Sequence, residues 1–285
     1  FFKKRPSIRN TIRLLFYPIS LIQIYRLIKK YEIDIVHFQW SHIPILELIF
    51  IRLIRFNSKV IYTAHNTKLF HGEKFLFRRL LSIGRMRFFK KVDKIIVHTN
   101  YSKKVLNNEA KDIADNINVI PYGIEYFLTT DEINKNKTSD NVSNNITNIL
   151  FFGQVSYYKG IDILIESLPF IENTKYNVSI IGRSEIDTEN LISLAKRKGV
   201  DSKIDWQLKF VSNKEVHNAL FKCDILVFPY RHIDQSSVLM SSLSYGKPII
   251  ASKLGGFDEI LSHNINGYLF NPGSSKDLGF YLDKL

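Results

Sequence analysis

One lysine in the C-terminal half stands where a protein can bind a phosphate. An apolar stretch that reads as a strand ends at Phe152, Gly153 follows it, and Lys159 lies just before the helical stretch that begins at Ile161. Glycine permits a tight turn at which a ligand can approach the backbone. The amides at a helix start carry partial positive charge, which a lysine reinforces. The pattern favours a diphosphate, whereas the simpler interpretation is a solvated lysine.

A second helix start follows the apolar run at 224–228. A polar loop leads from this run into a helix that begins at Ser236 or Ser237 and ends near Gly246. Serine is a favourable N-cap, and small side chains leave room for phosphate oxygens to reach the amides. Ligands of parallel α/β sheets bind outside the carboxyl ends of the strands. Together, the two helix starts predict a nucleotide-diphosphate pocket in the C-terminal half.

The elements that must hold these residues are short apolar runs rich in β-branched side chains, alternating with helical stretches. Strands this apolar are buried on both faces, as in a parallel sheet covered by helices. Intervals of roughly 20–45 residues leave room for the crossover helices that parallel strands need. The sequence therefore predicts an α/β fold, doubly wound. The eight runs are 34–38, 59–63, 94–98, 117–120, 148–152, 177–181, 224–228 and 248–251.

Chain length and one polar segment predict how the chain divides. At roughly 150 residues per domain, 285 residues suggest two domains. Residues 134–148 are polar and nearly free of large apolar side chains, which is typical of a linker. We therefore expect an N-terminal Rossmann-like domain over 1–133 and a C-terminal Rossmann-like domain over 149–285. A surface loop within one domain is the alternative for 134–148.

The composition excludes several classes of protein. Hydrophobic residues make up 45% of the chain and charged residues 24%, as in soluble globular proteins. Cys223 is the only cysteine, so an internal disulfide and a cysteine-based zinc site are both excluded. No uncharged run reaches the roughly 18 residues of a membrane helix. The first residue is Phe1 and no signal peptide pattern follows, so we expect a cytoplasmic protein whose start has been trimmed.

The positive charge is concentrated at the N-terminal end. Residues 1–110 hold 22 basic and 6 acidic residues, whereas residues 111–285 hold 18 and 21, and the net charge is +13. Such a field attracts nucleic acid, anionic lipid or another polyanion. A helix over 12–31 adds further basic residues, and Pro18 within it predicts a kink or a break.

Residues 73–91 predict a basic amphipathic helix. One interpretation is contact with an anionic membrane surface, and the other is a helix packed on the core with a basic outer face. The apolar positions at helical spacing are Phe77, Leu80, Leu81 and Phe88. The candidate membrane-contacting residues are Arg78, Arg79, Arg85, Arg87, Lys90 and Lys91. The first interpretation predicts a protein at the inner membrane face.

The order and spacing of several motifs resemble the family-4 retaining glycosyltransferases, whose GT-B fold has two facing Rossmann-like domains. The resemblance spans nearly the whole chain, and the loop Gln235–Val238 is similar to a subgroup that has Gln-Ser-Gly-Val there. The matching segments in the C-terminal half are 151–160, 219–230, 235–239, 245–252, 255–259 and 266–270. Those in the N-terminal half are 34–37, 62–66, 93–102 and 118–123.

The resemblance implies transfer of a sugar from a nucleotide-diphosphate sugar to an acceptor hydroxyl, with retention of configuration and without a metal or cofactor. In such enzymes basic side chains and helix amides stabilise the leaving diphosphate. Lys159 would hold the diphosphate, and the amides of 236–238 would hold the distal phosphate and the sugar. His65 would face the sugar as the catalytic side chain, with a hydrogen-bonded loop histidine as the alternative. His37 and His98 lie in strand patterns and are expected to be structural.

Three positions depart from the family pattern. Gln154 stands where the family usually has arginine, and Arg183 is a candidate compensating charge. The family's two glutamates, eight positions apart, correspond to Ile233 and Ser241, and Asp234 could replace the first after a local shift. The expected donor-binding residues are Gly153, Gln154, Lys159, Arg183, Asp234, Gln235, Ser236, Ser237, Val238 and Ser241. No family-type first strand precedes Phe1, so we expect the N-terminal domain to be incomplete.

Three functions are consistent with these observations. The leading hypothesis is a sugar transferase that acts on a lipid-linked or polysaccharide acceptor in cell-surface glycan synthesis. A non-catalytic GT-B-like module that binds a nucleotide or polyanion is the second, because the two glutamates are missing. A nucleic-acid-binding protein is the third, although the sequence has no helix-turn-helix signature.

Overall fold

The computed structural model describes residues 8–67, 83–124, 146–173 and 175–285, with side chains from residue 16 onwards. The chain divides into two compact units, of which the first carries a four-stranded sheet and the second a six-stranded sheet. All strand pairs in both sheets are parallel. Most of the predicted linker, up to residue 145, lies outside the described residues.

The N-terminal unit is a sheet in the order β1-β2-β3-β4 with helices packed on it. Its core consists of aliphatic and aromatic side chains such as Ile51, Val60, Phe88, Phe89 and Ile95, each fully or almost fully buried. The strands are β1 (Ile35–Phe38), β2 (Lys59–Thr63), β3 (Lys94–Val97) and β4 (Ile117–Val119). The helices are α1 (Ile8–Lys30), α2 (Pro44–Ile54), α3 (Arg85–Phe89) and α4 (Asn100–Glu109).

The helix α1 continues through Pro18, so the predicted break is wrong, whereas a kink at this proline stays a prediction. One buried carboxylate joins α1 to the start of α2. Glu47 is fully buried and accepts hydrogen bonds from the Tyr17 and Ser41 hydroxyls and from the His42 amide at 2.7 Å. Several donors at one carboxylate offset the cost of burying it.

The C-terminal unit is a sheet in the order β10-β9-β8-β5-β6-β7. Its strands are β5 (Thr147–Phe152), β6 (Tyr176–Ile181), β7 (Ile204–Gln207), β8 (Ile225–Phe228), β9 (Ile249–Ser252) and β10 (Tyr268–Phe270). Its helices are α5 (Ile161–Ser167), α6 (Glu189–Arg197), α7 (Asn213–Lys222), α8 (Ser237–Leu243), α9 (Phe257–Ile260) and α10 (Ser275–Lys284). The strand order reverses between β5 and β8, which are direct neighbours. A ligand crevice forms at such a switch point in open α/β sheets.

All eight predicted strands are confirmed, with ends that differ by one residue at most. Every side chain of β8 and β9 is buried, as expected of central parallel strands. The prediction missed β7 and β10, which are the two edge strands of the larger sheet. An edge strand pairs on one side only and tolerates polar side chains, as β7 does with Asp205 and Gln207, whereas β10 is apolar but only three residues long.

Candidate functional site

Lys159 lies beside the switch point of the larger sheet, in a short turn between β5 and α5. The turn is a single 3-10 turn over Tyr157–Lys159, and Gly160 caps α5. The lysine side chain is only 6% exposed, with Nζ 5.2 Å from the centre of the Tyr230 ring. No carboxylate of the described residues forms an ion pair with it. Burial lowers the pKa of Lys159 below its usual value, because a charged amine is costly away from water, and the nearby Tyr158 and Glu185 offset only part of this shift.

Two glycines make this position of Lys159 possible. Gly153 has φ +128°, and a Cβ on it would lie 2.7 Å from Lys159 Nζ and 3.7 Å from Val238 Cγ2. Gly160 has φ +65°, and its Cβ would lie 1.9 Å from the Pro229 carbonyl oxygen. The ends of β5 and β8 and the start of α8 therefore meet at Lys159. A buried cation at a strand's carboxyl end, with a glycine opposite, is suited to an anion.

Arg231, in the loop after β8, fixes the Lys159 turn from the other side. Its guanidinium donates to both carboxylate oxygens of Asp162, at 2.8 Å to Oδ1. It also donates to the Tyr157 carbonyl at 3.0 Å and lies 4.6 Å from the centre of the Tyr157 ring. The Arg231 amide donates to the Tyr158 carbonyl at 2.7 Å. Sequence reasoning missed this pair, which joins residues 69 positions apart. The one available signal was a charged residue in the loop that follows a buried strand.

The start of α8 is formed as the sequence predicts. Ser236 is the N-cap, and its hydroxyl accepts from the Leu239 amide at 3.2 Å. The amides of Ser237 and Val238 are in the first turn, where a helix offers no acceptor of its own. The side-chain oxygen Oε1 of Gln235 is buried and has no hydrogen-bond partner among the described residues. A buried acceptor without a donor is costly, so Gln235 is a candidate ligand contact.

The two positions that depart from the family's glutamates are both buried. Ile233 is 6% exposed and Ser241 is 2% exposed within α8. Asp234 has a fully buried side chain whose Oδ1 lies 4.0 Å from His232 Nε2. Gln154 and Arg183 are both exposed, and their segments adjoin because the Val155 amide donates to the Arg183 carbonyl at 2.9 Å.

Three histidines gather at the carboxyl ends of neighbouring strands in the N-terminal unit. His37 is in β1, His65 follows β2 and His98 follows β3. His65 stacks on Trp40 with ring centres 4.6 Å apart, and its ring lies 5.2 Å from that of His98. Its Nε2 is 3.2 Å from Gln39 Oε1.

The surroundings of His65 oppose its protonation. Burial lowers the pKa of His65, and the neighbouring His98 and His37 lower it further. His37 is hydrogen-bonded through Nε2 to the Thr63 hydroxyl at 2.8 Å, and His98 Nδ1 donates to the Ile120 carbonyl at 2.9 Å. The neutral imidazole of His65 is thus favoured, and because its Nε2 donates to Gln39 Oε1, its Nδ1 can accept one further hydrogen bond.

The predicted basic helix over 73–91 is described only from residue 83, where α3 spans Arg85–Phe89. Arg78 and Arg79 lie outside the described residues, as do Phe77, Leu80 and Leu81. Phe88 is fully buried in the core. Arg85 turns inward and donates to the Asn66 and Thr67 carbonyls. The other three candidates, Arg87, Lys90 and Lys91, are exposed.

The described residues contain neither a membrane-spanning helix nor a cluster of metal ligands. None of the described helices combines the length and the apolar character that a bilayer crossing requires. Among the same residues, the side chains of histidine, cysteine, aspartate and glutamate form no group of three that could hold a metal ion.

Comparison with known proteins identifies relatives of both halves. Residues 132–285 match the family model described as glycosyl transferases group 1, and residues 3–126 match glycosyltransferase family 4. An uncharacterized glycosyltransferase of Methanocaldococcus jannaschii is 26% identical over 179 residues, which cover 62% of this chain and 45% of that protein. A GDP-mannose:glycolipid 4-beta-D-mannosyltransferase of Xanthomonas campestris is 24% identical over 104 residues, covering 36% and 29% of the two chains. This chain therefore spans less than half the length of either relative.

A solved structure resembles the fold over most of the chain. Anabaena HepE, crystallised with UDP, aligns with a TM-score of 0.72 at 20% identity, over 93% of this chain and 71% of its own. This likeness, with two parallel-sheet α/β units, confirms the expected GT-B fold class. Because the family model covers more than half of the sequence, including the Lys159 turn and α8, the chain belongs to the group 1 glycosyl transferases.

Proposed function

We propose that this protein is a retaining glycosyltransferase that moves a sugar from a nucleotide-diphosphate sugar to a lipid-linked or polysaccharide acceptor in cell-surface glycan synthesis. The observation that carries the proposal is Lys159, a lysine 6% exposed at the switch point, without an ion-pair partner among the described residues. A buried cation is costly unless an anion accompanies it. The donor's diphosphate is such an anion.

The donor site in this proposal comprises three kinds of group. Lys159 neutralises charge on the diphosphate, and the first amides of α8, at Ser237 and Val238, hold the distal phosphate. Gln235 accepts a hydrogen bond from a donor hydroxyl, which would satisfy its buried oxygen. The proposed set of donor-binding residues also includes Gly153, Gln154, Arg183, Asp234, Ser236 and Ser241. Donors already in place where charge develops lower the barrier without reorganisation.

The reaction follows from the charge on the leaving group. The bond between the sugar's C1 and the diphosphate oxygen breaks, and the acceptor oxygen forms a new bond to C1 on the same face. The acceptor's proton passes to the departing diphosphate, which is the nearest base on that face. Lys159 and the first amides of α8 thus bind a diphosphate that is both the leaving group and the base. In this proposal no metal or cofactor takes part, since Lys159 and the helix amides supply the positive charge.

We propose that His65 contacts the transferred sugar, as the family resemblance implies. The neutral ring that its surroundings favour suits a hydrogen bond to a sugar hydroxyl. The printed name of the Xanthomonas relative, which includes a nucleotide-sugar donor and a glycolipid acceptor, and the UDP bound to Anabaena HepE support the choice of substrates.

A transfer assay tests the proposal. The full chain is incubated with a panel of nucleotide sugars and a bacterial lipid extract, and products are detected by mass spectrometry. We expect one donor to add a hexose-sized mass to a lipid-linked glycan, and Lys159→Met to reduce the yield strongly. Absence of any transfer, with intact binding of nucleotide, would instead support the second candidate.

That second candidate is a non-catalytic module that binds a nucleotide or polyanion. The observation that favours it is the pair Ile233 and Ser241, which replace the family's glutamates and are both buried. Calorimetry combined with the transfer assay separates the two functions, because both bind a nucleoside diphosphate but a module produces no transferred sugar.

A further inference from the structure

The exposed side of α2 carries an apolar row of four side chains. Ile45, Ile49 and Leu53 recur at intervals of four residues, so they share one helix face, and Phe56 follows in the turn after the helix. They are 52%, 56%, 51% and 88% exposed, respectively. A continuous apolar row of this kind is costly in water and marks an interaction site.

Basic side chains line the same face. A groove of about 350 Å³ runs between α2 and α3, with Ile45, Leu48 and Ile49 on one wall. The other residues that line it form a basic rim, which consists of Arg52, Arg87, Lys90 and Lys91. All four are exposed, and Lys90 also pairs with Asp112 at 2.7 Å. Among the described residues that line the adjoining part of the groove, one is acidic, Glu109.

We propose that this face, the apolar row with its basic rim, binds the surface of an anionic phospholipid membrane. Charge complementarity selects the occupant, because the rim carries four cations and lies in the half of the chain with 22 basic and 6 acidic residues. The apolar row favours lipid over nucleic acid, since three of its four side chains, Ile45, Ile49 and Leu53, are aliphatic and provide no aromatic ring on which a base could stack. Aliphatic side chains enter the headgroup boundary while lysine and arginine reach the phosphates.

This surface differs from the one predicted from the sequence alone. The apolar part is supplied by α2. Phe88 of α3 is buried in the core, so α3 and the residues just after it contribute basic side chains to this face. The inference does not depend on the proposed enzymatic activity, because vesicle binding needs neither donor nor acceptor.

Flotation with defined vesicles tests the proposal. The full chain is mixed with vesicles of phosphatidylcholine, or of an equimolar mixture of phosphatidylcholine and phosphatidylglycerol. We expect binding to the anionic vesicles only, and release as salt is raised. Arg87→Gln with Lys91→Gln should weaken partitioning by about 25-fold, since each cation near an anionic surface contributes about five-fold. Phe56→Ser should also release the protein.

Matched controls come from the C-terminal unit. Phe210 is 84% exposed, so Phe210→Ser removes an equally exposed ring. Lys196→Gln with Arg197→Gln removes two exposed charges at the end of α6. Neither control should change binding to vesicles. Circular dichroism checks folding, which exposed substitutions leave intact.

Four outcomes would overturn the proposal. Equal binding to neutral and anionic vesicles, no binding to either, or equal losses for the controls and for the variants of α2 and α3 would remove the membrane from this face. If Phe56→Ser instead abolished a dimer measured by light scattering without affecting flotation, the row would be a protein interface. Nucleotide binding is measured separately on each variant, so failure here leaves the donor site untouched.

Discussion

Replacing Lys159 by methionine tests the donor site most directly. Methionine keeps the unbranched stem beside the Tyr230 ring but removes the charge. A hydrogen bond to a charged group contributes about 1.5–3 kcal/mol, so affinity for a nucleoside diphosphate should fall between about ten- and 150-fold. Binding of the nucleoside should not change. Calorimetry with UDP and GDP, and with uridine and guanosine, measures both.

The same variant should fold at least as stably as the wild type. Lys159 is buried without an ion-pair partner among the described residues, and its lowered pKa means that burial opposes its charged form. Removing the charge relieves that cost. Lys222→Met is the matched control. Lys222 is exposed and lies just before β8, at the amino ends of the strands, whereas Lys159 lies at their carboxyl ends. Equal losses of diphosphate and nucleoside affinity, or an equal effect of the control, would refute the phosphate role.

Three further predictions concern metal, backbone and pH. Sugar transfer should survive EDTA, and restoration of a lost activity by Mg²⁺ or Mn²⁺ would contradict the proposed chemistry. Gly199→Ala should lower the free energy of unfolding in urea by about 1 kcal/mol, because φ is +70° there but a Cβ would meet no atom. Gly160→Ala should lower it several times more, because its Cβ would meet the Pro229 carbonyl. Similar values for both variants would contradict this close approach. Since the pKa of His65 is lowered in the folded state, its contribution to stability is present above the usual histidine pKa of about 6.5 and lost as pH falls below it. His65→Gln should therefore lose less stability than the wild type between neutral pH and pH 5, and parallel pH profiles would argue against this shift.

The fold was largely predictable because central parallel strands must be apolar on both faces. The run at 225–228 is buried at every position and could be read directly from the sequence. The edge strands β7 and β10 could not, since β7 includes Asp205 and Gln207 and β10 has only three residues. A partly polar strand such as β7 and a three-residue apolar run such as β10 have no pattern distinct from a loop.

The candidate site was predictable in position but not in environment. The place of Lys159 between a strand and a helix indicated a phosphate-binding role, which stays a prediction. Its burial against Tyr230 and Gly153 depends on contacts with residues far away in the sequence. The convergence of His65 and His98 likewise follows from the order of β2 and β3 in the sheet.

The contact between Arg231 and Asp162 affects how the sequences of the loops after β5 and β8 can vary. Loss of either partner leaves the other charge partly buried without its ion-pair partner, so the two positions should change together among homologues. The loops after β5 and β8 then behave as one rigid body, and a substitution that displaces either one shifts both Lys159 and the start of α8. Effects of mutations in the two loops should consequently be non-additive, even between residues that do not touch.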